Sequence, residues 1–387
     1  MVSELYERDH KKVIILIDEY DKPLLDHIHD IKNATVQQEV LRSFYSAVKA
    51  ADAFIRFIFL TGITKFSKTS VFSGLNNLTD LTLSLKMNSL LGYTQEEIET
   101  YFDSYLNVLH KKQKSSLYDV RANMRTWYNG YRFSKRTLKV YNPYSVLSYL
   151  NSSEFKNYWF ETGTPSFLVK LITTKEYRIE SIENSELNTI DLESLELDNI
   201  PIILILFQTG YLTIKSFNPK TQNYRLGYPN EETKLSFLNY FISRLTTVPV
   251  SSIKNTTLKL TQALEQNSLD LFFETLKVFF AAMPYTMQLP QEKYYQSIFY
   301  VITTLIGAYV ESEITTNVGR IDSTITTDKH IYILEFKINQ SAEIALQQIE
   351  NNRYYQKYLH SNKQIVLISV EFDTKIRNIK NWITKII

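Results

Sequence analysis

The chain has 387 residues, and its 43 Lys and Arg against 41 Asp and Glu leave a formal net charge of +2. No global field draws such a chain to nucleic acid, so any affinity of that kind comes from local patches. It has no cysteine, which excludes a fold held by disulfides and fits a cytoplasmic setting. The N-terminus, Met-Val-Ser-Glu-Leu-Tyr-Glu, lacks the apolar run of a signal peptide. The longest apolar runs, such as 202–207, fall far short of a membrane span, so no membrane partner is expected.

In chain order, Val13–Ile17 and 57–60 are apolar runs that read as buried parallel strands, joined through a helical pattern over 37–51. Asp18 and Glu19 directly follow the first strand. Thr94 and Glu97 have capping-box spacing, which opens another helix. A helical stretch then leads to strands at 211–216 and 224–227 around Asn218-Pro219-Lys220. A hairpin after helices reads as winged-helix-like, and a packing wing that never touches DNA fits equally well. Further on come a helical period at 294–310, alternating strands at 318–327 and 330–338, a second helical period at 341–358, and an apolar strand at 364–370. The segment 374–385 carries Lys375, Arg377, Lys380 and Lys385, with Ile376, Ile379 and Ile383 at helical spacing. It reads as an amphipathic basic helix, either tracking a DNA backbone or simply closing the fold. At this length two or three cores are expected, bounded near 1–165, 166–249 and 250–387. Most of the 27 Tyr and 22 Phe sit at helical or strand spacing and read as core.

The stretch that carries chemistry is the hairpin of Gly319-Arg-Ile-Asp322 and His330-Ile-Tyr-Ile-Leu-Glu335-Phe-Lys337, with the polar turn Thr326-Thr-Asp-Lys329 between. Side chains two apart on a strand share a face, so Glu335 and Lys337 point the same way, and pairing of the hairpin sets Asp322 beside them. Two carboxylates and an ammonium are costly to bury without a partner. A divalent metal held by hard oxygen ligands removes that cost and leaves Lys337 to orient water or neutralise a phosphate. A solvated face bearing a Glu–Lys pair is the plainer alternative. The six histidines show no H-x-x-H or H-E-x-x-H spacing, so zinc is not expected.

The order helix, strand, strand, helix, strand with acids on the hairpin resembles the core of the PD-(D/E)XK nuclease superfamily. Several blocks resemble bacterial AAA-ATPase-like proteins fused to such a nuclease. They are Val13-Ile-Ile-Leu-Ile17-Asp18-Glu19-Tyr-Asp21 as a Walker B strand, Phe57 to Lys68, Phe72 to Asn77, Trp127-Tyr-Asn-Gly130-Tyr-Arg-Phe133, Phe155 to Pro165, and Phe207-Gln-Thr-Gly210-Tyr-Leu-Thr-Ile214. The resemblance implies an α/β multidomain protein with a partial P-loop-ATPase-like α/β domain, a helical or winged-helix-like middle region, and a C-terminal restriction-endonuclease-like αβ domain.

For the site, the resemblance implies catalysis by Asp322, Glu335 and Lys337, with Gln348 and Tyr354 lining it from the next helix. Tyr354 as ordinary core remains the alternative. It implies Mg²⁺ or Mn²⁺ held by Asp322 and Glu335, with Glu292 as a further acidic ligand or merely a helix-start acid. Glu311 and Glu313, expected at that helix's far end, compete for the same role. Arg320 either contacts a phosphate or caps its strand. Asp18 and Glu19 are the nucleotide-site remnant, but no G-x-x-x-x-G-K-[ST] occurs, and Gly62-Ile-Thr-Lys-Phe-Ser-Lys68-Thr69 is only a near miss. The chain starts about where such a loop has already passed, so ATP binding is not expected. The function implied is a DNA-cleaving nuclease of mobile-element or defence type, with DNA as partner and oligomeric state open. A catalytically silent remnant that binds nucleic acid or a protein is the alternative.

Overall fold

The structure is a computed structural model that describes residues 1–28, 30–65, 71–72, 75, 77–161, 179–193, 201–246, 248–283, 292–307, 309–315 and 320–387. Its contacts group the chain into two compact units. One is Met1–Gly163 with Glu183–Lys234, and the other is Thr164–Ile182 with Leu235–Ile387. Residues 183–234, expected in a separate middle region, therefore pack with the N-terminal part.

In the first unit, α1 (Val2–Asp9) leads to β1 (Val13–Ile17), then α2 (Lys22–Leu25), α3 (Ile31–Ala50) and β2 (Ile55–Leu60). β1 and β2 pair in parallel, as their apolar runs predict. The expectation that they are buried is corrected. Ile14 is in register with Phe57 and Leu16 with Phe59, and all four side chains are exposed. Only the alternate residues are covered.

Helices α4 (Gln95–Tyr101), α5 (Asp103–Gln113), α6 (Leu117–Tyr128), α7 (Pro143–Ser152) and α8 (Tyr158–Glu161) follow, with β3 (Asn129–Tyr131) paired to β4 (Val140–Tyr141) between them. Thr94 and Glu97 close the capping box at the start of α4 in both directions. Ile98, Leu106, Val120, Met124, Tyr128 and Tyr149 share one apolar core between these helices. β5 (Glu186–Asn188), α9 (Ile202–Gln208), β6 (Thr213–Asn218) and β7 (Asn223–Gly227) complete the unit. The expected hairpin is β6–β7, and β5 adds a third strand in the order β5-β7-β6.

The blocks from Trp127 to Ile214 meet here as packing. Gly130 lies against the Pro229 carbonyl, and the Tyr131 hydroxyl meets Thr233 Oγ1 at 3.2 Å. The Trp159 ring tilts onto Tyr211 at 5.2 Å. The Trp159 amide and the Ser145 hydroxyl both donate to the buried Glu232 carboxylate. Arg132 is buried and donates to the carbonyls of Ser134, Lys135 and Lys215. Burial lowers its guanidinium from the ordinary value. Arg132→Met strands those acceptors and is expected to cost roughly 2–4 kcal/mol. Chemical denaturation checks this, and an unchanged midpoint contradicts it.

The second unit holds α11 (Val250–Glu265), α12 (Leu269–Ala281) and α13 (Glu292–Leu305), then β8 (Tyr309–Thr315), β9 (Arg320–Thr326) and β10 (His330–Ile338). After these come α14 (Ala342–Asn351), a 3-10 turn at Tyr354–Tyr358, β11 (Gln364–Asp373) and β12 (Asn378–Ile386). α10 (Glu231–Thr246) carries the boundary between the units. The strands form one mixed sheet in the order β12-β11-β10-β9-β8. β10 and β11 run parallel, as the crossover through α14 allows, and the other neighbours are antiparallel.

Both faces of this sheet are covered. Ile331, Ile333, Ile365 and Leu367 pack with Ile349 of α14 and with Tyr354. On the opposite face, Phe336 meets Phe299 at 5.1 Å, and Phe372 meets Tyr295 at 4.5 Å and Phe280 at 5.4 Å. As central strands, β10 and β11 are buried on both faces over Ile331–Leu334 and Ile365–Ile368, where successive residues are apolar.

Two expectations are corrected. The period at 294–310 does not stay helical: α13 ends at Leu305, and residues from Tyr309 form β8. The β-branched and alternating run Tyr309-Val-Glu-Ser-Glu-Ile-Thr pairs with β9, and sheet pairing overrides the helical spacing. The basic segment at 374–385 is not a helix. Its residues from Asn378 form the edge strand β12, with Trp382 turned to the α12 face, where its indole donates to Asp270. Lys380 and Lys385 are tied to Glu371 and Glu350.

Candidate active site

β10 places Glu335 and Lys337 on the α14 face at the end of the apolar cluster. Glu335 is only 2% exposed. Its Oε1 accepts from Lys337 Nζ at 3.1 Å and also from Gln348 Nε2 of α14. A buried carboxylate needs such partners, since desolvation without them costs several kcal/mol in rough terms. The i, i+2 spacing of Glu335 and Lys337 on a strand brings the ammonium to the carboxylate, and the second turn of α14 brings the amide.

Asp322 reaches the same place from β9. The β9–β10 ladder runs as far as Leu334 opposite Ser323. Beyond it, the Phe336 amide donates to Asp322 Oδ2 at 2.8 Å. The carboxylate is thus anchored on the residue that separates Glu335 from Lys337.

The other residues singled out by sequence are placed by their elements. Tyr354 is 2% exposed and belongs to the apolar cluster, with its hydroxyl accepting from Asn352 Nδ2 at 2.9 Å. Glu292 opens α13, whose Tyr295 and Phe299 pack on the opposite sheet face. Glu311 and Glu313 lie on β8 instead of a helix end, and Glu313 stands between the pairs Ser312–Ser323 and Ile314–Ile321, level with Asp322. The side chains of Glu292, Glu311, Glu313 and Arg320 lie outside the described residues, as do Val318 and Gly319. Among the described residues no group of three or more His, Asp or Glu is arranged to hold a metal ion. The donor chemistry nevertheless suits a hard divalent cation, because Asp322 and Glu335 offer carboxylate oxygens from adjacent strands.

Sequence reasoning missed two neighbours. Ser369 is in register with Glu335, and Glu371 with Lys337; both are buried. The strand was expected to stop at residue 370, although its alternation continues through Glu371-Phe372-Asp373.

At the end of β1, Asp18 accepts from the Thr61 hydroxyl and from the Glu19 amide, and Glu19 has left-handed backbone at φ 51°. Asp21, given no role from sequence, is fully buried and accepts from Ile63 N at 3.2 Å and from the amide and hydroxyl of Thr64 at 2.5 Å. These bonds tie the loop after β2 to the end of β1. The residues from Phe66 to Ser70, within the near-miss phosphate loop, lie outside the described ones.

The mixed five-stranded sheet with its acid- and lysine-bearing hairpin is the part of the chain, residues 290–382, that matches the family model of the PD-(D/E)XK nuclease superfamily. Residues 1–72 match the model of a predicted AAA-ATPase. The C-terminal domain is thus of PD-(D/E)XK type. Over 394 aligned positions the chain is 34% identical to the "Uncharacterized protein in vnfD 5'region" of Azotobacter chroococcum mcd 1, covering 100% of this chain and 74% of that protein. The chain belongs to the same family as that protein. No solved structure matches it. Among the described residues, no helix is long and apolar enough to cross a membrane.

Proposed function

We propose that this chain is a metal-dependent nuclease that cleaves DNA phosphodiesters with Asp322, Glu335 and Lys337, attached to an ATPase-like module that does not hold ATP. The observation that carries the reading is the buried Glu335 carboxylate, gripped by Lys337 and Gln348, with Asp322 anchored on the intervening amide. Beside the apolar cluster of Ile331, Ile333, Ile349 and Leu367, a buried acid with an ammonium and a second acid serves no packing purpose.

Asp322 and Glu335 would hold Mg²⁺ or Mn²⁺, which supplies Lewis-acid polarisation of a phosphoryl oxygen. Gln348 fixes the Glu335 carboxylate in one orientation. Lys337 holds a positive charge where negative charge grows on the phosphate as water oxygen bonds to phosphorus and the bond to the leaving sugar oxygen breaks. The proton lost by the water passes to solvent, and the leaving oxygen gains one.

The test is cleavage of plasmid DNA in Mg²⁺ by wild type beside Asp322→Ala. Cutting that disappears in the variant, together with weaker metal binding in calorimetry, supports the reading. Equal cutting by both points to a contaminant and leaves the silent-remnant alternative.

For the first unit, the expected outcome is that ATP binds weakly or not at all, because these 387 residues contain no G-x-x-x-x-G-K-[ST] to gather backbone amides around a triphosphate. Micromolar affinity in calorimetry would overturn that expectation. Fusion of an upstream segment bearing a Walker A loop is expected to restore binding.

A further inference from the structure

Glu371 and Lys380 have no part in the site described so far. Glu371 is 6% exposed and stands on β11 in register with Lys337. Residues in register on a parallel pair share a face, so its carboxylate lies on the face of Glu335 and Lys337. Earlier on β11 that face carries Ile365 and Leu367, both core. An apolar residue at 371 would continue the core more cheaply than a carboxylate. The partner that makes the carboxylate tolerable is Lys380, whose Nζ donates to Glu371 Oε1 at 2.7 Å while its side chain stays 54% exposed.

Lys380 reaches Glu371 through an irregularity in β12. The pairs run Val370–Trp382, Glu371–Asn381 and then Phe372–Ile379, with a register shift between Glu371 and Phe372. Unbroken alternation would set Lys380 opposite Phe372, among the aromatic rings of the other face. The shift gives that place to the buried Ile379 and leaves Lys380 as the extra residue, free to fold back to the site's face. Bulges re-aim side chains in this way and are common beside active sites. The hydrogen bond that Lys380 donates to Glu371 raises the pKa of its ammonium above the ordinary value.

We propose that Lys380, tethered by Glu371, is a substrate contact that takes a backbone phosphate of the nucleic acid next to the scissile one. The proposal rests on the nuclease reading above and extends that site along β12. An ammonium has three donors, and the bond to Glu371 uses one of them. The tether also restrains the lysine before substrate arrives, so less rotamer freedom is lost on binding.

The test measures binding of a fluorescein-labelled DNA duplex to the full chain by anisotropy in Ca²⁺, which supports binding with little cleavage, across a salt series. Lys380→Gln is expected to weaken binding about 3–10-fold at moderate salt and to lower the slope of log Kd against log salt by about one. Glu371→Gln should fall between, and the double variant should bind no worse than Lys380→Gln alone. Lys385→Gln is the control, because Lys385 makes a similar ion pair with Glu350 but stands opposite Leu367, away from Lys337. An unchanged slope in Lys380→Gln, an equal loss in Lys385→Gln, or no duplex binding by wild type overturns the proposal. Cleavage by wild type beside Lys337→Ala, run in Mg²⁺, reports the nuclease reading separately. Lys337-dependent cutting with wild-type binding by Lys380→Gln sinks the contact alone. A Lys380-dependent salt slope without cutting keeps the contact and sinks the nuclease reading.

Discussion

Lys337→Ala is expected to lower the rate of Mg²⁺-dependent DNA cleavage by roughly 10²–10⁴-fold, the usual loss when a positioned electrostatic or proton-transfer group is removed. The same variant should keep its metal affinity nearly intact. The ammonium touches Glu335 Oε1 at 3.1 Å and acts on water or phosphate, so its loss removes no oxygen ligand. Asp322→Ala differs in kind: it deletes a ligand, and both cleavage and metal binding should fall. The discriminating measurement pairs single-turnover cleavage with Mn²⁺ calorimetry on both variants. Loss of metal binding in Lys337→Ala equal to that in Asp322→Ala would refute the division of roles. Glu335 gives a further check, since Glu335→Gln retains the shape that Gln348 and Lys337 grip but removes the charge.

The largest stability effect is expected at Gly130. Its φ is +128°, a conformation that side chains rarely adopt, and a Cβ there would lie 2.1 Å from the Pro229 carbonyl oxygen. The atoms it would meet are main-chain atoms of Pro229, which cannot swing away as the end of a side chain can. Gly130→Ala combines left-handed strain with overpacking and is expected to cost roughly 3 kcal/mol or more. For a unit of this size that lowers the melting temperature by roughly 6–12 °C. A calorimetric scan showing a shift of less than about 2 °C, on the same per-kcal scaling, would mean that the turn relaxes at little cost. Gly210, with φ +83° beside the Trp159 ring at 3.5 Å, offers a milder comparison because a ring edge yields more readily than a carbonyl.

The local patterns that sequence reads well are those enforced within a few residues. Strand parity alone places Glu335 and Lys337 on one face, because alternation is a property of the extended backbone itself. The Thr94–Glu97 capping box and the parallel pairing of Val13–Ile17 were equally legible. The family, too, was readable from the hairpin and its flanking blocks, since those residues are contiguous.

What sequence could not settle depended on partners distant in the chain. The run 374–385 has helical spacing of Ile residues, yet from Asn378 it is an edge strand, because β11 offers it a ladder of backbone hydrogen bonds that an isolated helix cannot match. The same competition makes residues from Tyr309 the strand β8 instead of helix. Asp322 is placed on the Phe336 amide only because β9 leaves the ladder beyond Ser323, and Gln348 reaches Glu335 only because α14 crosses back over β10. Glu371 gains a place beside Lys337 from the parallel register, a relation between strands that no periodicity within either one encodes. The sequence by itself determined which side chains carry charge on the hairpin and how they alternate. The tertiary structure alone decided which of them meet, because register between strands is set by packing on both faces of the sheet.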